Sequence, residues 1–299
     1  MMFRKTAIIG LGLIGGSLAK ALRKYDMCET IVGLDLCSET LDCAKKDNCI
    51  DEGYNELVQG IRDADLIVIS VPVGKMNTVL VDVFKNAKKG AWILDACSVK
   101  ERICKEAEIL LQNRNDVVFI GGHPMAGSEK SGFVHSSSNL FENAPFLLVP
   151  NNIFLDDSSD FIQWLKLLKV RPIIMNGEDH DLKVGYISHL PHLISTAIIN
   201  TISHNTVNPK DIMNLSGGGF KDTTRIAESD PNLWTDIYLN NRRLSQVLDA
   251  FIREMESLKE LLANNDYQPL YNYLLEAKVF KSKCSIKENE RRVNKCLAI

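Results

Sequence analysis

His123 lies in the stretch Gly121-Gly122-His123-Pro124-Met125-Ala126-Gly127, directly after an apolar run. An imidazole titrates near pH 6.5, so its neutral form can take a proton from an alcohol that is being oxidised. The flanking glycines and the strand before them predict a turn at the carboxyl edge of a parallel sheet, where ligands of open sheets bind. A structural histidine fits the same pattern, and position alone leaves both readings open. Ser98, in Asp95-Ala96-Cys97-Ser98-Val99-Lys100, ends another such strand. Its hydroxyl suits proton sharing with His123 or with a substrate hydroxyl, and suits a helix N-cap equally well.

Arg225 stands at the end of Gly217-Gly218-Gly219-Phe220-Lys221-Asp222-Thr223-Thr224-Arg225. A guanidinium grips a carboxylate with two parallel hydrogen bonds; an ion pair with Asp222 or Glu228 is the structural alternative. The three glycines predict a turn or a close backbone approach. His189 and His192 form His-Leu-Pro-His. A pair at i, i+3 can bind metal, but no carboxylate or third histidine is placed to complete a site, so no metal is expected. A histidine that donates a hydrogen bond to substrate is the favoured reading. Pro191 is expected to kink this helix and free a carbonyl beside the site.

The six residues Gly10-Leu11-Gly12-Leu13-Ile14-Gly15 follow a strand pattern and open a helical one, and Asp35 ends the next strand. That is the dinucleotide fingerprint in its proper context. Gly10 permits the tight turn, Gly12 lets a pyrophosphate approach the backbone, and Gly15 allows the helix to pack closely on the strand. Leu13 and Ile14 begin the helix, whose unpaired N–H groups favour anions. Asp35 is suited to accept hydrogen bonds from ribose hydroxyls and to repel a 2′-phosphate, which argues for NAD over NADP. Val71 and Pro72 close a further strand. They border the cofactor on one reading and are ordinary punctuation on the other.

The elements that position these residues are legible in outline. Short β-branched runs alternate with helical patterns through the first half, the mark of βαβ units and a parallel sheet. Strands are expected at 6–10, 31–35, 66–71, 92–96, 117–121, 145–149 and, as an edge, 172–175, with helices at 15–24, from near Ser38, and at 156–169. After Gly177 the spacing turns helical throughout, including 233–262 and 270–281. The fold class is therefore an α/β Rossmann-like dinucleotide-binding domain (1–175) followed by an all-α domain (176–281), with a basic, poorly ordered tail at 282–299.

Composition narrows the function classes. A net charge of −3 offers no basic excess, so neither nucleic acid nor a membrane surface is an expected partner. No apolar run reaches the roughly 18 residues a membrane span needs. Arg4 and Lys5 precede an apolar stretch that mimics a secretion signal, but glycines break it and it leads into the fingerprint. Cys37, Cys43 and Cys49 fit no zinc spacing, and the eight cysteines are expected to be free thiols in a reducing cytoplasm.

Taken in series, GLGLIGGS, DACSVK, HPMAGSEKSG, SHLPH and GGGFKDTTRIAESDPNLW resemble the prephenate dehydrogenase family, also called cyclohexadienyl dehydrogenases, over residues 6 to about 275. The resemblance implies NAD-dependent oxidative decarboxylation of prephenate to 4-hydroxyphenylpyruvate, on the route to tyrosine. It implies that His123 is the catalytic histidine, that Ser98 orients it, that Arg225 holds a substrate carboxylate and that His192 lines the pocket. Ser128 stands where relatives often carry threonine near the substrate. Gly218 is placed by the same resemblance among the substrate-binding residues, while Glu129, Lys221 and His189 lie in matching motifs without assigned roles. The resemblance also implies a homodimer through the helical domain. With strand one at residue 6 and little chain after 281, a monofunctional enzyme is expected, without a fused mutase or regulatory domain. Arogenate dehydrogenase is the rival enzyme. A non-catalytic NAD-sensing module is the rival from another class, disfavoured because a sensor needs no base.

Overall fold

Apolar runs become strands here because both faces of the sheet are covered. The computed structural model describes residues 2–128 and 130–296. The chain opens as β1 (Lys5–Ile9), α1 (Leu13–Lys24), β2 (Thr30–Leu34), α2 (Ser38–Lys46), β3 (Glu52–Tyr54) and α3 (Leu57–Ile61). It continues through β4 (Leu66–Ile69), α4 (Val73–Asn86), β5 (Trp92–Asp95), α5 (Glu101–Leu111), β6 (Val118–Pro124), β7 (Pro145–Pro150), α6 (Asp160–Lys166) and β8 (Arg171–Ile174). The sheet order is β3-β2-β1-β4-β5-β6-β7-β8. All neighbours are parallel except β6 and β7. The chain leaves β1 toward β2 on one side and returns to β4 on the other, so the end of β1 is the topological switch point.

Alternate residues feed two cores. Ile8, Ile31, Val68, Leu94 and Ile120 face one layer with Leu18, Leu22 and Phe161. Ala7, Ile9, Ile67, Ile69, Ile93 and Phe119 face the other with Met76, Leu80, Phe84 and Ile103. β8 is the edge strand and tolerates Pro172 there.

The structure differs from the sequence expectations at several points. β3 and α3 are additional, because three half-buried residues are too few to show an alternating pattern. α6 starts later than Asp156, whose carboxylate accepts from Ser158 N and from the Ser158 and Ser159 hydroxyls and so holds a turn in place of helix. His123 and Pro124 are not on a turn. They are the last residues of β6, which β7 extends by antiparallel pairing of His123 with Leu147 and Pro124 with Phe146.

The remaining elements are helical: α7 (Gly177–Val184), α8 (Leu190–Asn205), α9 (Pro209–Asn214), α10 (Gly218–Thr224), α11 (Pro231–Asn240), α12 (Leu244–Asn264) and α13 (Tyr267–Cys296). A π turn, Gly185–His189, joins α7 to α8. The expected helix at 233–262 is interrupted after Asn240. Asn241 leaves helical geometry, and its side chain is spent on Asp181 and His189 instead. α13 continues beyond Lys281, where the sequence suggested a frayed tail; 297–299 lie outside the described residues. Strands end with β8, yet the chain divides into compact units at Met1–Leu244 and Ser245–Ile299, so the helices up to Leu244 belong to the same unit as the sheet. No described helix is long and apolar enough to cross a membrane.

Candidate active site

The glycine turn is built by steric necessity. Gly10 follows β1 at φ 87°, and a Cβ there would stand 2.3 Å from the Ser70 carbonyl oxygen. At Gly15 a Cβ would come within 1.9 Å of the Gly10 carbonyl oxygen, so no other residue lets α1 lie this close to its strand. Gly12 is different: it caps α1, and a Cβ would meet nothing within 4 Å. The space in front of the first turn, at Leu13 and Ile14, is open to a phosphate. Val71 borders the same turn, because its Cγ1 is 3.4 Å from where a Gly10 Cβ would stand, and Pro72 caps α4. Asp35 follows β2 and accepts from Leu11 N at 2.9 Å and Cys37 N at 3.0 Å. A carboxylate has about four lone-pair sites, so these bonds orient it and leave capacity for ribose hydroxyls. The residues present fit a dinucleotide.

Two carboxylates from the helical segment cap the sheet-following helices. Asp236 on α11 accepts from Gly74 N at 2.7 Å in the first turn of α4. Asp181 on α7 accepts from Lys100 N at 2.7 Å and Glu101 N at 3.1 Å at the start of α5. Both satisfy N–H groups that a helix cannot pair internally. Asp181, not Ser98, therefore serves the N-terminus of α5. Arg243 grips the buried Glu101 carboxylate through Nε at 2.7 Å and Nη2 at 3.1 Å.

Between these anchors lies a chain of buried rings. His123, 8% exposed, has its Nδ1 2.9 Å from Nε2 of His180. His180 Nδ1 is 2.8 Å from Asp181 Oδ1, and both residues are fully buried. The Asp181 carbonyl accepts from Asn241 Nδ2, which also donates to Nδ1 of His189 at 2.9 Å. Arg243 N donates to the Asn241 amide oxygen and so fixes which way that amide points. Trp234 meets His189 edge-on and stacks on His192 at 3.7 Å, while Tyr238 hydrogen-bonds Nδ1 of His192.

Burial sets the charge state of this cluster. Desolvation, followed by the neighbouring His180 and Lys100, holds His123 well below the ordinary imidazole range. Burial likewise lowers His180 to about 2 and His189 to about 4. All three rings are neutral at pH 7, as a proton acceptor must be. Lys100 is the buried cation nearby. Burial works against its charge, but the Asp95 carboxylate with which it pairs outweighs this and holds the ammonium above the ordinary lysine range. Asp95 also accepts from Cys97 N at 2.9 Å and Gly122 N at 3.3 Å, tying the Ser98 loop to the strand that ends in His123.

The other expected residues are placed less centrally. Ser98 is half-buried after β5 and makes no hydrogen bond to His123, which takes its orientation from His180. Ser128 is exposed and, among the described residues, pairs with the Lys130 backbone. Glu129 lies outside the described residues. Arg225 follows α10 and lines a cavity of about 510 Å³ with Lys221, Asp222, Thr224 and Glu228. His123, Ser98 and His192 do not line that cavity. Gly218 opens α10, and Cβ atoms at 217–219 would meet nothing within 4 Å, so among the described residues no close backbone approach demands the glycines. Pro191 does not kink a helix interior; it sits in the first turn of α8, after the π turn has already broken the regular ladder.

His180, Asp181, Asn241, Trp234 and Tyr238 were not foreseen. Their partners are remote in sequence, and the one local signal was an imidazole beside a carboxylate at 180–181.

Comparison with known proteins covers most of the chain. A family model described as the prephenate dehydrogenase nucleotide-binding domain matches 18–170, and one described as the prephenate dehydrogenase dimerization domain matches 176–276. Prephenate dehydrogenase of Bacillus subtilis is 32% identical over 279 residues, which is 92% of this chain and 74% of that protein. The crystal structure of A. aeolicus prephenate dehydrogenase with hydroxyphenyl propionate and NAD+ superposes with a TM-score of 0.85 at 31% identity, covering 95% of this chain and 99% of that one. Synechocystis arogenate dehydrogenase gives 0.79 at 29% identity, with coverage of 93% and 99%.

Proposed function

Because the chain belongs to the prephenate dehydrogenase family, we propose that it converts prephenate to 4-hydroxyphenylpyruvate and CO2 with NAD+ as oxidant. One observation carries the reading: a dinucleotide turn and a buried, neutral His123 stand at the carboxyl edge of one sheet, within one compact unit.

NAD+, when bound, accepts a hydride from the carbinol carbon of the ring. The bond from the opposite ring carbon to its carboxylate breaks as CO2 leaves, and that electron pair replaces the pair lost with the hydride. The product ring is aromatic, so the chain need not stabilise a high-energy carbanion. Its work is to orient the ring, hold the carboxylates and manage one proton. His123 accepts the hydroxyl proton as the carbon is oxidised and can return it to the phenol oxygen. Arg225 binds a substrate carboxylate, His192 and Ser98 line the site, and Ser128 and Gly218 border it. Gly10, Gly12, Gly15 and Asp35 hold the cofactor, with Leu13, Ile14, Val71 and Pro72 beside it.

The match of 176–276 to a dimerization-domain model supports a homodimer, which light scattering on the purified chain would test. A cytoplasmic location and a domain boundary near residue 175 belong to the same proposal. The deciding experiment follows NADH formation with prephenate and with arogenate side by side, with and without tyrosine. The expected result is a higher kcat/KM on prephenate; a preference for arogenate would overturn the assignment and favour the activity named for the Synechocystis neighbour.

A further inference from the structure

We propose that His180 and Asp181 set the tautomer of His123, keeping its proton on Nδ1 so that the Nε2 lone pair is available to the substrate hydroxyl. The proposal rests on the reading of His123 as the base, and it makes His180 and Asp181 positioning residues.

The direction of every hydrogen bond in the chain follows from one fixed end. Lys100 N and Glu101 N can only donate, and both point at the Asp181 carboxylate, at 2.7 and 3.1 Å. Burial pushes the Asp181 carboxyl up, but these two donors, one on each oxygen, and the nearby Lys100 ammonium favour its ionised form, so Asp181 acts as an acceptor. Its Oδ1 is also 2.8 Å from His180 Nδ1, so that nitrogen carries the proton. A neutral imidazole has a single N–H. With Nδ1 protonated, Nε2 of His180 is a lone pair, and it faces His123 Nδ1 at 2.9 Å. That contact is a hydrogen bond only if His123 supplies the hydrogen. His123 is then Nδ1–H, and its Nε2 is the acceptor. A doubly protonated His180 would reverse the last step, but the ring is fully buried with Lys100 nearby, and burial opposes a second cation.

Each link is also held mechanically. Asp181 is pinned by the α5 N-terminus, and its carbonyl accepts from Asn241. A Cβ at Gly177 would stand 3.1 Å from Glu101 Cα, so α7 begins in direct contact with α5. The relay thus transmits the polarity of a helix N-terminus through two imidazoles to the end of β6. The opposite tautomer of His123 would leave two lone pairs facing each other at 2.9 Å and would present the substrate hydroxyl with a donor in place of an acceptor.

The test begins with the intact wild-type protein. A long-range proton–nitrogen NMR correlation on histidine-labelled chain reads each ring's tautomer, and six histidines make assignment by single substitution practical. Nδ1–H is expected on both His123 and His180; Nε2–H on His123 would overturn the proposal. Kinetics supply the second arm. His180→Leu removes the acceptor and is expected to lower kcat about 100-fold, with KM for prephenate changed less than about threefold. His180→Gln, whose amide oxygen can replace Nε2 while its NH2 faces Asp181, is expected to recover at least about tenfold of that loss. A kcat for His180→Leu within about threefold of wild type would overturn the relay. If that variant does not fold, the wild-type tautomer still decides. Retained turnover in His123→Asn would instead overturn the base assignment, so the two failures are distinguishable.

Discussion

Gly10, Gly12 and Gly15 fall within six consecutive residues and act through the side chains they lack. His123, His180, His189 and His192 act through ring nitrogens and come from β6, α7, the π turn and α8, with Asn241, Trp234 and Tyr238 added from the end of α11 and beyond it. The first region is specified locally: a positive φ, a close approach and an open helix end. The second exists only once the chain has folded, and its buried polar groups lean on one another because an unpaired one is costly to bury. A local device tolerates change outside itself, whereas a distributed network can be broken from several elements.

The largest expected effect lies in the distributed region. His123→Asn should abolish turnover, by 10²–10⁴-fold on the general scale of proton transfer, while NAD+ affinity measured by fluorescence titration barely moves. A rate above about a tenth of wild type would mean that the two regions do not divide the labour as described. Next comes Arg225→Ala, for which the KM for prephenate should rise about 10–100-fold, as loss of a charge-assisted carboxylate contact predicts, with a smaller change in kcat. An unchanged KM would remove Arg225 from the substrate site and leave it as a wall of its cavity only.

The cofactor turn can be tested by itself. Asp35→Ser combined with Leu36→Arg, at a position that is 94% exposed, should move the ratio of kcat/KM values toward NADP by about tenfold. Equal use of both cofactors by the wild type would show that Asp35 does not discriminate.

The smallest effect is thermodynamic. His180 and His189 bind fewer protons when folded than when unfolded, since their pKa values are lowered to about 2 and about 4. Stability is therefore full above pH 6.5 and falls as pH drops, by about 2 kcal/mol per buried histidine between pH 6.5 and 5. Urea midpoints across that window would show it, and His189→Gln should flatten the slope. An unaltered slope would place His189 in contact with solvent.

This division also explains what the sequence made legible. The fingerprint, Asp35 and the strands feeding the two cores could be read because spacing and apolar runs encode them directly. His123 stood out for its glycine neighbours, although its place within β6 depends on β7, which pairs with it from across a long connection. His180 gave no such signal: its partner is 57 residues away, and adjacency to Asp181 is common in helix first turns. Asn241 looked like part of a continuous helix because its role depends on His189 and Asp181, which no periodicity connects to it.

The π turn at Gly185–His189 has a consequence for the angular phase of the long helix that carries the rings. A regular α-helix rotates roughly 100° per residue, so His180 and His192 would face directions roughly 120° apart. A π turn absorbs about one residue of rotation, which brings the two rings to within roughly 20° of a common azimuth. Tightening that turn to regular α-helix at unchanged length would swing His192, with its Trp234 stack, roughly 100° away from the direction His180 faces, whereas deleting its extra residue would keep the phase. The extra residue is thus absorbed without rotation, and the shared azimuth depends on the turn staying wide.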